Sequence, residues 1–219
     1  MNENNDLYQY KDTDREDYTK FDIDIDDQKS PLELFSNWFD LHKTTCFEAF
    51  NACSLTTVSS KLKPHTRIVL MNNFSDKGFI FYSNYESRKG KDLSFKPYAQ
   101  LLFFFKKQQR VVHIWGDVEK VSKSDSIDYF NSRPLQSRLA AMVSKQSQYL
   151  KDRKTLEHEY QIVCQKYQGK KIVCPNHWGG YRLKPDMFEF WQGRPSRLHD
   201  RVLYEHTENN NWKSSRLYP

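Results

Sequence analysis

The sequence predicts an α+β fold: an antiparallel barrel or sheet with a helical insertion. Three observations carry this expectation. Short runs rich in β-branched and aromatic residues recur from about residue 51 to 121 and again from 180 to 217, separated by polar or Gly-containing turns. Between 124 and 168 that period is lost and the pattern reads as helices. A capped apolar stripe ahead of the strands marks one more helix.

Taken in order, residues 1–29 are polar and acid-rich, as in Asp22-Ile23-Asp24-Ile25-Asp26-Asp27, and too poor in apolar side chains to build a core. They read as a flexible leader. Order is expected from Ser30-Pro31-Leu32-Glu33, which combines an N-cap serine, proline at the first helical position and a capping-box glutamate. Leu34, Phe35, Trp38 and Phe39 then share one helical stripe. Strands are expected at 52–58, 67–71, 79–83, 100–105 and 111–121, with Ser75-Asp76-Lys77-Gly78 as one of the turns. Within the helical region Pro134 restarts the chain after Arg133, because a residue before proline avoids helical geometry. Strands return at 180–183, 187–192, 201–206 and 212–217. There is no internal repeat and no interdomain linker, so 30–219 reads as a single domain.

Charge narrows the function. The 219 residues carry 34 Lys+Arg against 28 Asp+Glu, a net +6. Residues 1–30 hold ten acids and four bases, so the rest of the chain is at +12. Such a body attracts nucleic acid, an anionic membrane or phosphorylated small molecules. Hydrophobic content of 37% and a mean hydropathy of −0.87 exclude an integral membrane protein. The longest compact apolar run, Leu101-Leu102-Phe103-Phe104-Phe105, is far short of the roughly 20 residues a span needs. No stretch joins a basic face to a continuous apolar one, which argues against membrane association. Nucleic acid is disfavoured because no block of five or more bases and no RNA-recognition or zinc-finger signature occurs. The start, Met1-Asn2-Glu3-Asn4-Asn5-Asp6, has neither the basic nor the apolar region of a secretory signal. Cys46, Cys53, Cys164 and Cys174 show no C-x-x-C spacing and no zinc pattern with the seven histidines. No metal is expected, and free thiols in the cytoplasm are.

Three clusters place the bases. Ser87-Arg88-Lys89-Gly90-Lys91 follows a strand and opens a short helix capped by Ser87. Cations are unfavourable in a first helical turn, so two adjacent ones there suit a bound anion; a solvated basic turn is the competing reading. In Arg197-Leu198-His199-Asp200-Arg201, an extended backbone would put Arg197, His199 and Arg201 on one face, either around a ligand or as a wet edge strand. In Tyr129-Phe130-Asn131-Ser132-Arg133-Pro134-Leu135-Gln136-Ser137, Tyr129 and Arg133 share a helical face and Ser137 lies in the next helix's first turn. These form a phosphate clamp or an ordinary cap beside a surface arginine.

These motifs, with others, fall in one family's order. The others are Arg67-Ile68-Val69-Leu70-Met71, Gly78-Phe79-Ile80-Phe81-Tyr82-Ser83-Asn84-Tyr85-Glu86, Gln146-Ser147, Trp178-Gly179-Gly180-Tyr181-Arg182, Glu189-Phe190-Trp191-Gln192-Gly193 and Arg216-Leu217-Tyr218-Pro219. Over roughly residues 31–219 the chain resembles pyridoxamine 5′-phosphate oxidase. The resemblance implies an FMN-binding split β-barrel with flanking helices, in a homodimer with each FMN between two subunits. It implies cofactor contacts from Arg67, Ile68, Val69, Leu70, Tyr82, Ser83, Arg88, Lys89, Gln146, Ser147, Trp191 and Arg201. Asn72, Tyr129, Arg133 and Ser137 would meet the substrate's 5′-phosphate, while Arg197, Leu198 and His199 lie over its ring, with Arg197 and His199 catalytic. The implied reaction is FMN-dependent oxidation of pyridoxine or pyridoxamine 5′-phosphate to pyridoxal 5′-phosphate, with O2 as acceptor and H2O2 as product.

Five positions depart from the family pattern. Asn72 stands where a lysine is usual, and Arg110-Val111-Val112-His113 where Arg-Gln-Val-Arg is usual. Val111 cannot make the glutamine's hydrogen bond, and Gln109, two residues away on the same expected strand face, is about 6–7 Å distant. Ala140 replaces a glycine and Met142 a tryptophan. The alternative these raise is a divergent member that binds FMN or pyridoxal phosphate with little turnover, as carrier or regulator.

Overall fold

The computed structural model describes residues 30–208 and 211–219, so the acidic leader lies outside the described residues. Helix α1 (Pro31–Thr45) starts as its cap predicts, with the Glu33 N–H donating to Ser30 Oγ at 3.2 Å. Then come β1 (Ala52–Val58), β2 (Pro64–Ser75), β3 (Gly78–Asn84), α2 (Arg88–Phe95), β4 (Tyr98–Phe105) and β5 (Arg110–Lys120). Three helices follow, α3 (Lys123–Ser132), α4 (Leu135–Val143) and α5 (Arg153–Lys166), before β6 (Trp178–Gln192), β7 (Asp200–His206) and β8 (Trp212–Leu217).

Every strand pairing is antiparallel, and six strands close on themselves: β1 meets β2 and β4, β2 meets β3, β3 meets β6, and β5 joins β6 to β4. Closure leaves these strands without a free edge. Alternation fills the inside with aromatics, and α1 supplies the plug. The Phe35 ring sits 5.0 Å from each of Phe74, Phe79 and Phe103, which come from β2, β3 and β4. Trp38 and Phe39 on the same stripe are buried beside it.

The barrel splits along β6. Its first part, Trp178 to Leu183, pairs with β3; its last part, Met187 to Gln192, pairs with β7, which carries β8 outside the barrel. The sequence reading put two strands here, at 180–183 and 187–192. They form one strand. Pro185 falls where the partner changes and sits at a β6 bulge, where it faces Gly116, Met187 faces Trp115 and Asp186 is the extra residue, so its missing N–H costs the ladder little. Glycine is required at 116, since a Cβ there would lie 1.9 Å from the Lys184 carbonyl oxygen.

Helices α3, α4 and α5 build a second apolar cluster on the flank around Phe130, Leu139, Ile172 and Trp178. Among the described residues no helix is long and apolar enough to cross a membrane.

Candidate functional site

The basic corner where β3 runs into α2 is built as the sequence suggests. Ser87 Oγ accepts the Gly90 N–H and donates to the Asn84 carbonyl at 2.7 Å. A Cβ on Gly90 would sit 1.9 Å from the Tyr85 carbonyl oxygen, so only glycine lets the helix start this close to the strand end. Lys89 is buried, and its Nζ donates to Ser83 Oγ at 3.0 Å, Ser87 Oγ at 3.3 Å and Gln146 Oε1 at 2.7 Å. All three partners are neutral. Burial first, and Arg67 second, push the Lys89 ammonium from 10.5 down to about 8. Arg67 reaches across from β2, donating from Nη1 to the Leu55 carbonyl at 3.0 Å and Thr57 Oγ1 at 2.8 Å. Its pKa is lowered by burial, with Asp92 opposing and Arg88 adding to the fall. A buried ammonium without a carboxylate partner, beside further guanidinium charge, is suited to a phosphate.

Beside this corner opens a cavity of about 500 Å³. It is lined by Ile68, Val69 and Leu70 of β2, by Tyr82, Ser83 and Lys89, and by Tyr129, Arg133 and Ser137. Gln146 and Trp178 complete it. Arg88 and Ser147 line a second cavity of about 280 Å³ that shares Gln146 with the first. Tyr82 and Tyr129 stack at 3.9 Å, and Tyr82 stacks on Trp178 at 5.5 Å. The Arg133 guanidinium lies 4.7 Å from the Trp178 ring centroid, and its Nη1 is buried with no hydrogen-bond partner. Burial lowers its pKa. Tyr129 and Arg133 do not share a helix, as the spacing suggested: α3 ends at Ser132, and Arg133 is its extended cap because Pro134 follows. The two side chains still meet at the cavity.

The remaining candidates sit at the other end of β6. From Trp178 to Trp191 the strand runs roughly 40 Å at about 3.3 Å per residue. Trp191, Arg197, Leu198, His199 and Arg201 line neither cavity. The expected extended face of Arg197, His199 and Arg201 does not form. Residues 195–197 make a 3-10 turn in which Ser196 and Arg197 have φ of 56° and 60°, and β7 begins only at Asp200. His199 Nδ1 accepts the Arg194 N–H at 3.0 Å, its ring lies 4.7 Å from Trp191, and burial lowers its pKa. Arg201 Nε donates to Glu189 Oε1 at 2.8 Å and its Nη1 to the Tyr218 carbonyl at 3.0 Å. Asn72 is exposed within the β2 irregularity between Met71 and Asn73 and lines neither cavity.

Comparison with known proteins decides the family. A family model described as pyridoxamine 5′-phosphate oxidase matches residues 42–165. The chain belongs to the pyridoxamine 5′-phosphate oxidase family. A second model of the family, the pyridoxine 5′-phosphate oxidase C-terminal dimerisation region, matches residues 178–219 and supports homodimer formation. The pyridoxine/pyridoxamine 5′-phosphate oxidase of Bordetella pertussis is 49% identical over 190 residues, covering 87% of this chain and 90% of that one. That of Leptospira interrogans is 43% identical over 206 residues, covering 94% and 96%. Among solved structures, PhzG from Burkholderia lata, bound to tetrahydrophenazine-1-carboxylic acid, superposes with a TM-score of 0.85 at 26% identity, covering 93% of this chain and 100% of that one. A related FMN-binding protein from Nostoc punctiforme shares the fold, with a TM-score of 0.69 at 16% identity, covering 88% and 99%.

FMN is the cofactor of this oxidase family, and the buried, neutrally partnered Lys89 fits its phosphate. Among the family departures, Ala140 lines the larger cavity and Met142 packs into the flanking cluster. Val111 stands opposite Trp191 and Phe104 in the ladder. Gln109 is not on its strand face: it adopts φ 57° and ψ 45° outside β5 and is buried. Sequence reasoning missed Asp92, Thr57 and His65, which surround Arg67, and Glu189, which holds Arg201. Asp92 had a signal: it follows Lys89 by three on a short helix whose buried side also carries Leu93.

Proposed function

We propose that the protein oxidises pyridoxine 5′-phosphate and pyridoxamine 5′-phosphate to pyridoxal 5′-phosphate, a vitamin B6 reaction, in the cytoplasm, where its four free cysteines stay reduced. One observation carries the substrate class. Arg133 offers a buried, unpartnered N–H in the cavity it lines with Tyr129 and Ser137, which Lys89 also lines. That arrangement serves two phosphates, one from the flavin and one from the substrate ester.

Bound FMN would supply the two-electron acceptor chemistry for oxidation at C4′, with O2 as the final acceptor and H2O2 as product. The chain's own residues bind and orient. Lys89 and Arg67, with Arg88 and Ser147 in the adjoining cavity, hold the flavin phosphate; Ile68, Val69, Leu70, Tyr82, Ser83 and Gln146 line the space for the rest. Arg133, Tyr129 and Ser137 clamp the substrate phosphate, and the stacking of Arg133 on Trp178 fixes the guanidinium before the ester arrives. Because the Arg194 N–H occupies His199 Nδ1, the neutral ring carries its proton on Nε2. Trp191, Arg197, Leu198, His199 and Arg201 reach the cavity from a second copy, so each site is shared across the homodimer. Asn72, in place of lysine, leaves one neutral donor where the family has a charge.

The test is peroxide release by the flavin-loaded protein with each phosphorylated vitamer, with unphosphorylated pyridoxine and with tetrahydrophenazine-1-carboxylic acid. Turnover restricted to the phosphorylated vitamers is expected. No turnover with them at saturation, or turnover of the phenazine alone, overturns the reading.

A further inference from the structure

Arg67 is held from behind by a buried relay. Thr57 Oγ1, fully buried, accepts from Arg67 Nη1 at 2.8 Å and donates its own proton to Asp92 Oδ2 at 2.7 Å. The same carboxylate oxygen takes His65 Nδ1 at 2.9 Å and lies 3.7 Å from Arg67 Nη2. Strand register aligns the relay, with Thr57 opposite His65 and Leu55 opposite Arg67. Asp92 itself is 5% exposed, on the buried side of α2 one turn after Lys89. A hydroxyl has one proton. Because Asp92 takes it, the Thr57 lone pairs must face the guanidinium, and the carboxylate fixes the direction of the whole chain.

We propose that Asp92, which lines the smaller cavity beside Arg88 and Ser147, acts through Thr57 as the positioning group that aims Arg67 at the flavin phosphate, so a buried acid strengthens recognition of the cofactor's anionic end. The proposal rests on the reading of Arg67 as a phosphate ligand. It makes a prediction whose sign separates it from simple electrostatics. Removing a negative charge near a dianion should raise affinity by Coulomb's law alone, whereas loss of positioning lowers it.

The experiment titrates full-length, flavin-stripped protein with FMN and, separately, with riboflavin, which lacks the phosphate, following quenching of flavin fluorescence. Asp92→Asn is expected to weaken FMN binding about tenfold and leave riboflavin binding unchanged, since a charge-assisted hydrogen bond has become misdirected. Thr57→Val keeps the charge but cuts the relay, and is expected to give the same selective loss; it carries the test if Asp92→Asn does not fold. Equal losses for both flavins, or an FMN affinity that stays or rises, overturn the proposal. Arg67→Met separates the two levels. If it lowers the FMN-to-riboflavin preference while the relay variants do not, the relay fails and the phosphate site stands. If Arg67→Met leaves the preference untouched, the phosphate reading of Arg67 falls, and the proposal with it.

Discussion

Replacing Lys89 with methionine should help the empty protein or leave it unchanged, and should damage only cofactor binding. Lys89 is 8% exposed and its pKa has fallen from 10.5 to about 8, so the fold holds its charge at a cost of roughly 3 kcal/mol relative to water. Against this stand three hydrogen bonds to neutral oxygens, each worth about 1 kcal/mol net. The two contributions nearly cancel, and the flavin-free variant should unfold within about 1 kcal/mol of the parent. A phosphate, in contrast, loses a buried ionic partner, worth about 3 kcal/mol or a factor of about 100 in Kd. The pH dependence has a definite sign. The folded pKa lies below the unfolded one, so between pH 8 and 10.5 the unfolded chain binds more protons and this contribution to stability rises with pH. Below pH 8 the penalty is complete. FMN affinity should run the other way, falling above pH 8 as the bare lysine deprotonates. Urea unfolding of the flavin-free protein and fluorescence titration with FMN, each across this window, measure both effects. A variant that loses more than about 2 kcal/mol of stability yet binds FMN normally would refute the reasoning.

Three further outcomes follow from single positions. Asn72→Lys restores a charged donor and should tighten pyridoxine 5′-phosphate binding about ten- to a hundred-fold, worth roughly 1.5–3 kcal/mol, without affecting unphosphorylated pyridoxine; unchanged KM for the ester contradicts this. Gly90→Ala drives a Cβ to 1.9 Å from the Tyr85 carbonyl and should cost about 3 kcal/mol in urea unfolding, with a loss under about 1 kcal/mol contradicting the close approach. Burial lowers the His199 pKa, so the neutral ring persists as pH falls through 6.5, and kcat/KM should stay flat there and drop only below it; a drop centred above 6.5 contradicts the assignment.

How far the sequence carried the account depends on how local the determining physics is. The caps at Ser30 and Ser87 were legible because they are set within four residues, and both form. Strand alternation was legible for the same reason. The single strand β6 was read as two, because its continuity through Pro185 depends on a bulge beside β5 and on a change of partner strand. The left-handed Ser196 and Arg197 could not be read from alternation, since no glycine announces the turn. Gln109 was misplaced in the same way, being a left-handed cap rather than a strand residue. In the site, Tyr129, Arg133 and Lys89 carry their chemistry on their faces, and the structure gathers them around one cavity. Asp92, Thr57 and Glu189 act through other side chains across strands, so no spacing rule reveals them.

The central claim is that residues at opposite ends of β6 make one site only between two copies of the chain. Subunit complementation tests it most directly. Arg133→Leu and Arg197→Leu homodimers should each be nearly inactive. Unfolding and refolding an equal mixture makes half the dimers mixed, each with one intact site and one doubly damaged, so about a quarter of wild-type peroxide production should return. Activity that stays at the level of the two parents, in a sample shown to contain mixed dimers, would contradict the account.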